Sequence, residues 1–183
     1  MPEPSWVIVV VEDERHEMLV RRYLRRVGME GHQVRFERSP SGRGSAEQWV
    51  KSRFAREVSA YRNRQARAAT ALIVMIDADS HTVQSRLAQL SEALDESDIK
   101  AISATEQIAR LVPKRNVETW ISFLSGRVVD EVTDYKPTRD DWGELVPHAA
   151  RMLFEWTRPK AVLPKDCIDS LQRGVSELNR LEF

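Results

Sequence analysis

The sequence predicts an α/β protein with a mainly parallel central sheet flanked by helices and a C-terminal helical appendage. Three observations predict it. Trp6-Val-Ile-Val-Val-Val11 and Ala71-Leu-Ile-Val-Met-Ile76 are unbroken apolar runs rich in β-branched residues, the pattern of strands buried on both faces. Strand-like and helix-like patterns alternate from Trp6 as far as Leu124, as layered α/β folds require. Both apolar runs end in acids, Glu12-Asp-Glu14 and Asp77-Ala-Asp79.

After the first strand, Met18, Leu19, Tyr23, Leu24 and Val27 recur at helical spacing, opposite Arg21, Arg22, Arg25 and Arg26, and Gly28 closes the segment. His32 to Arg38 alternates as a second strand. A Gly/Ser/Pro-rich loop, Ser39 to Ser45, leads into a helix from Ala46 to about Arg67, striped by Trp49, Val50, Phe54, Val58 and Tyr61. A helix over Val83–Leu94 follows the second apolar run, and a further strand falls somewhere within Ile99 to Val112. Asn116 precedes a helix reaching Leu124, and helical segments at about Arg139–Trp156 and Pro164–Leu181 complete the chain. The expected organisation is an α/β core over residues 1–126 and a helical extension packed on it over 127–183.

The 183 residues suit one domain, and 42% hydrophobic with 31% charged residues lies in the ordinary globular range. No apolar run approaches the roughly 20 residues of a membrane span and no secretory leader is visible, so the expected location is the cytoplasm, without membrane association. The single cysteine, Cys167, excludes a disulfide framework and a cysteine-built zinc site. The zero net charge conceals an asymmetry: residues 15–67 hold fourteen Lys and Arg against five acids, a net of +9. Such a block suggests an anionic partner facing one surface, and solvated helix faces are the plainer alternative.

In open parallel sheets, ligand sites gather outside the carboxyl ends of the strands, where both acidic clusters fall. Asp77 and Asp79 are two apart, so a continuing extended chain turns both carboxylates to one side. Converging carboxylates suit Mg²⁺ or Mn²⁺; the plainer role is to cap the next helix, from Asp79 or Ser80. The histidines, His16, His32, His81 and His148, show no paired metal spacing.

A strand ending in Glu12, then a strand ending in Asp77-Ala-Asp79, resembles the Toprim domain of topoisomerases, primases and the overcoming-lysogenization-defect nucleases, over roughly residues 5–125. The segment Pro113-Lys-Arg-Asn-Val-Glu-Thr-Trp120 is similar to a Pro-x-x-Asn-x-Glu-x-Trp motif of small stand-alone bacterial Toprim proteins. Many members have Gly directly after the Glu and an acid four residues beyond it; here those positions hold Asp13 and His16, with Glu17 one step later. The resemblance implies a metal-dependent nuclease, DNA or RNA, plausible as the effector of an anti-phage system. It implies that Glu12 is a metal ligand or the general acid/base, that Asp77 and Asp79 bind the metal, that Glu118 completes a second metal site, and that Lys114 or Arg115 neutralises the scissile phosphate. Arg43, in the glycine-rich loop, is a second candidate contact to nucleic acid. It also implies an ATPase partner; a homo-oligomer is the alternative. Two other readings stand beside this one. The first is a non-catalytic Toprim-like binding or regulatory module. The second is a receiver-type phospho-acceptor domain, because Val-Ile-Val-Val-Val-Glu-Asp-Glu also resembles the opening of receiver domains.

Overall fold

A computed structural model describes residues 3–40, 45–65, 67–137 and 141–183. Arg43 therefore lies outside the described residues. The sheet has four parallel strands, β1 (Trp6–Val11), β2 (Val34–Arg38), β3 (Thr70–Met75) and β4 (Ile108–Leu111), in the order β2-β1-β3-β4. Every residue of β3 is buried, as are Val7 to Val11 of β1, which is why both read as unbroken apolar runs.

Alternation along the strands divides the core in two. Val7, Val9 and Val11 of β1 face helices α1 (Glu14–Arg26), α4 (Val117–Leu124), α5 (Trp142–Thr157) and α6 (Asp169–Leu178). Ile8 and Val10 face α2 (Ala46–Arg64) and α3 (Val83–Asp95), through Phe54, Val58, Leu87 and Leu90. The result is a three-layer α/β/α sandwich, with each fully buried Val, Leu or Ile side chain contributing about 1.5–3 kcal/mol. Val146, Ala149 and Leu153 of α5 and Leu171, Val175 and Leu178 of α6 join the same cluster as β1, so the C-terminal helices share the core of that layer.

Three local expectations shift. The second strand begins at Val34 because Gly31–Gln33 forms a 3₁₀ turn, held by a capping box between Glu30 and Gln33. Helix α3 is capped by Thr82, whose hydroxyl accepts the Ser85 N–H at 3.0 Å, in place of Asp79 or Ser80. The stretch from Ile99 to Val112 holds one short strand, β4, beside β3. Among the described residues, no helix is long and apolar enough to cross a membrane.

Candidate metal centre

The strand order places the candidate site. From β1 the chain goes to one side to make β2, then crosses back to make β3 on the other side, so β1 and β3 flank the point where the order reverses. A crevice opens at that point outside the carboxyl ends of parallel strands. Val11 is in register with Met75, which sets the residues that follow each strand side by side. Glu12 folds across the gap, and its Oε2 accepts the Asp77 N–H at 3.1 Å.

The chain after β3 is stitched to the chain after β4. Ala78 N–H donates to the Pro113 carbonyl and Asp79 N–H to the Arg115 carbonyl, at 2.9 and 3.1 Å. The Asp77 carbonyl accepts from Arg86 Nε at 2.9 Å. Arg86 is fully buried within α3, and its guanidinium also reaches Glu47 of α2 and Gln89. Asp77 is thus fixed through its N–H, its carbonyl and both its flanking strands.

Helix α1 begins here. Asp13 is its N-cap, with Oδ1 accepting the N–H groups of Arg15 and His16 at 2.9 and 3.1 Å. His16, one turn on from Glu12, points back into the site and is fully buried. Its Nδ1–H donates to Asp13 Oδ1 at 2.7 Å, and its Nε2–H to Asp77 Oδ1 at 2.9 Å. Ligand atoms of Glu12, His16 and Asp77 lie within 4.8 Å of one another, a grouping able to hold a metal ion. The other carboxylate oxygen, Asp77 Oδ2, is buried and is ion-paired with the Lys136 ammonium 2.9 Å away.

The electrostatics follow from burial and from these pairs. Burial raises the pKa of Glu12, and the Asp77 carboxylate adds to the rise. Burial opposes charge on His16, yet Asp77 and Asp13 outweigh it and hold the imidazole well above its ordinary range, so it is an imidazolium. Burial likewise opposes charge on Asp13, but the His16 hydrogen bond keeps its carboxyl below the usual range. Lys136 is raised too: Asp77 and Asp79 overcome its desolvation.

Of the residues singled out in the sequence, Glu12 and Asp77 come together. Asp79 does not join them in the 4.8 Å cluster. The extended geometry expected for Asp-x-Asp stops at Asp79, whose φ of 52° is left-handed, and its half-exposed carboxylate turns to Lys136 and Arg86 at 3.9 and 3.7 Å. Glu118 is fully buried on α4; one oxygen pairs with Arg15 and the other has no partner. Burial raises its pKa. Lys114 donates to the His81 carbonyl at 2.5 Å, so the lysine that meets Asp77 is Lys136 instead. Arg115, at φ 71°, pairs with Asp134 at 3.5 Å.

No sequence expectation placed His16, Lys136, Arg86 or Asp13 in the site. The arginine block also has an unexpected destination. Arg35, Arg53 and Arg64 converge on buried Glu57, Arg62 pairs with Glu106, and Arg21 and Arg38 share Glu17. Many of these arginines are therefore held in ion pairs along the fold, mostly with acids of the same block, while Arg25, Arg26, Arg56 and Arg67 remain exposed.

Fold and site together define a parallel α/β protein with a candidate cation centre of mixed nitrogen and oxygen donors at its topological switch point. No protein-family model, curated protein or solved structure matches the chain.

Proposed function

We propose that the chain is a divalent-metal-dependent hydrolase of nucleic-acid phosphodiesters, of the Toprim kind. The observation that carries the reading is the convergence of Glu12 and Asp77 from adjoining strand ends, with the fully buried His16 beside them. Glu12, Asp77 and His16 are the residues that would hold the ion. When bound, Mg²⁺ or Mn²⁺ there supplies Lewis-acid polarisation of a phosphoryl oxygen and lowers the pKa of a coordinated water. The chain's own contribution is rigidity: Arg86 fixes the Asp77 carbonyl, Asp13 fixes the imidazole, and Lys136 borders the centre with charge suited to phosphate. The resemblance to Toprim proteins carries the choice of nucleic acid as substrate. It also carries the proposal of an ATPase partner or a homo-oligomer in antiviral defence.

The test is incubation of the purified chain with plasmid DNA and with transfer RNA, in Mg²⁺, Mn²⁺ or EDTA. Cleavage is expected with metal and is lost in EDTA and in Asp77→Ala. Cleavage that persists unchanged in Asp77→Ala overturns the site assignment. A second reading, a non-catalytic binding module, is favoured by one observation: His16 and Lys136 already neutralise Asp77 without an ion. Retention of nucleic acid in a gel shift with no cleavage under any metal selects it.

A further inference from the structure

We propose that this centre selects a first-row transition dication such as Mn²⁺ or Co²⁺ over Mg²⁺, because His16 gives it a nitrogen donor. The inference rests on the metal-centre part of the reading above and is independent of the reaction catalysed.

The argument begins with the imidazole. His16 is fully buried, its Nε2 is 2.9 Å from Asp77 Oδ1, and it belongs to the cluster that includes Glu12. Behind it stands Asp13, whose Oδ1 is 2.7 Å from Nδ1. That same oxygen caps α1, so the carboxylate is held by the helix and cannot swing away. A carboxylate on the far nitrogen of a histidine fixes its tautomer and orientation and raises the basicity of the inward nitrogen, an arrangement recurrent behind metal-bound imidazoles.

A histidine between two carboxylates also serves as a buried imidazolium with no ligand at all. Two features point past that. Asp77 Oδ2 is buried and its partner is itself a cation, the ammonium of Lys136, 2.9 Å away. That ammonium belongs to a side chain one-third exposed and arrives from a polar loop, so the cation at this position is exchangeable. An incoming dication would find two carboxylates and an imidazole.

Ion selectivity follows from that donor set. Mg²⁺ is hard, dehydrates reluctantly and favours oxygen ligands in a near-ideal octahedron. Imidazole suits the later first-row ions, whose affinity for nitrogen rises along the Irving–Williams series. Replacing one oxygen donor by nitrogen among the three ligands that the described residues offer therefore moves preference away from Mg²⁺.

The test uses the full chain, free of any affinity tag, with the metals alone as probes. Isothermal titration is expected to give Mn²⁺ and Co²⁺ affinities at least about tenfold above that of Mg²⁺. Pulsed electron paramagnetic resonance of the Mn²⁺ complex should show modulation from a coordinated ¹⁴N. In His16→Asp the nitrogen signal disappears and the Mn²⁺/Mg²⁺ ratio falls toward one; Asp13→Asn, which keeps a competent helix cap, weakens Mn²⁺ binding by about 10–100-fold. The nitrogen signal is read on the unaltered protein, so the result does not depend on either variant folding. Equal affinity for Mn²⁺ and Mg²⁺, or a Mn²⁺ complex without nitrogen modulation, overturns the selectivity while leaving a metal centre in place. No binding of any divalent ion overturns both.

Discussion

The Lys136 ammonium lies 2.9 Å from Asp77 Oδ2, although 59 residues separate the two in sequence. The loop that delivers it is anchored independently of that contact. Asp134 Oδ1 accepts the Lys136 backbone N–H at 3.0 Å and Asn116 Nδ2–H at 2.7 Å. Asn116 in turn caps α4 through Thr119. The ammonium is therefore presented to the strand ends by a strap tied to the start of α4.

A tethered cation and a bound dication cannot both neutralise the same carboxylate, so Lys136 competes with metal. Lys136→Met is expected to bind Mn²⁺ about tenfold more tightly than the unaltered chain, a coupling of roughly 1.4 kcal/mol. The figure is kept below a bare Coulomb estimate because the lysine side chain is 36% exposed and solvent screens it. Lys136→Arg, which retains the charge, should stay close to the original affinity. Titration calorimetry on the three proteins decides; weaker binding in Lys136→Met would show that the lysine supports the ion site instead of occupying it.

His16 makes the stability of the metal-free protein depend on pH in a definite direction. Its folded pKa is raised well above the ordinary 6.5, so its stabilising contribution is complete below about pH 6.5 and is lost as pH rises through the folded value. Asp13 acts at the other end. Its pKa is depressed below the ordinary 3.8, so its contribution is present above that value and is lost as pH falls through the folded one. The melting temperature of the metal-free chain is thus expected to be highest in mildly acidic buffer and to decline toward alkaline pH. His16→Gln should flatten the alkaline decline. Metal binding runs oppositely, because an ion on Nε2 must displace a proton: apparent affinity should rise by about tenfold per pH unit while the imidazolium persists. A melting temperature that rises with pH above 6.5 in the unaltered protein would contradict the assigned charge state.

What the sequence made legible follows from the range over which each signal acts. The strands β1 and β3 were readable because burial on both faces leaves only apolar residues, and an acid directly after such a run is conspicuous. Glu12 and Asp77 were therefore found. The pairing of His16 with Asp77 spans 61 residues and exists only once the strands align. A local signal was nevertheless present, since a cap at Asp13 puts His16 in the first turn of α1, close in sequence to Glu12. Arg86 left a comparable trace: it falls on the face of α3 that Leu90 and Leu94 bury, where a charge needs a partner. Lys136 left none, because it stands in a polar connection without periodicity. Asp79 misled because a spacing of two specifies one face only while the chain stays extended, and the chain turns left-handed there. The net charge of residues 15–67 was countable and the Arg53–Glu57 pair is an i,i+4 contact within α2, but the arrival of Arg35 at Glu57 depends on tertiary packing between β2 and α2.

The strap and the centre depend in turn on how α4 is held, and one glycine controls that. A Cβ on Gly174 of α6 would lie 2.3 Å from Trp120 Cη2, with two more ring carbons at 2.9 and 3.0 Å. The ring cannot retreat: Trp120 is fully buried, and its Nε1–H donates to Ser170 Oγ at 2.7 Å. Gly174→Ala gains about 1 kcal/mol in helix propensity and loses about 3 kcal/mol to overpacking at so short a contact, so a net destabilisation of about 2 kcal/mol is expected. Chemical denaturation measures it, and the Trp120→Phe background separates clash from propensity. With the six-membered indole ring gone, the added methyl group should cost less than it does opposite Trp120, a coupling that a double-mutant cycle reads directly. An alanine that stabilises the chain opposite Trp120 would mean that α6 can shift on α4 freely. In that case Asn116 and the strap it holds through Asp134 would not be fixed against the strand ends.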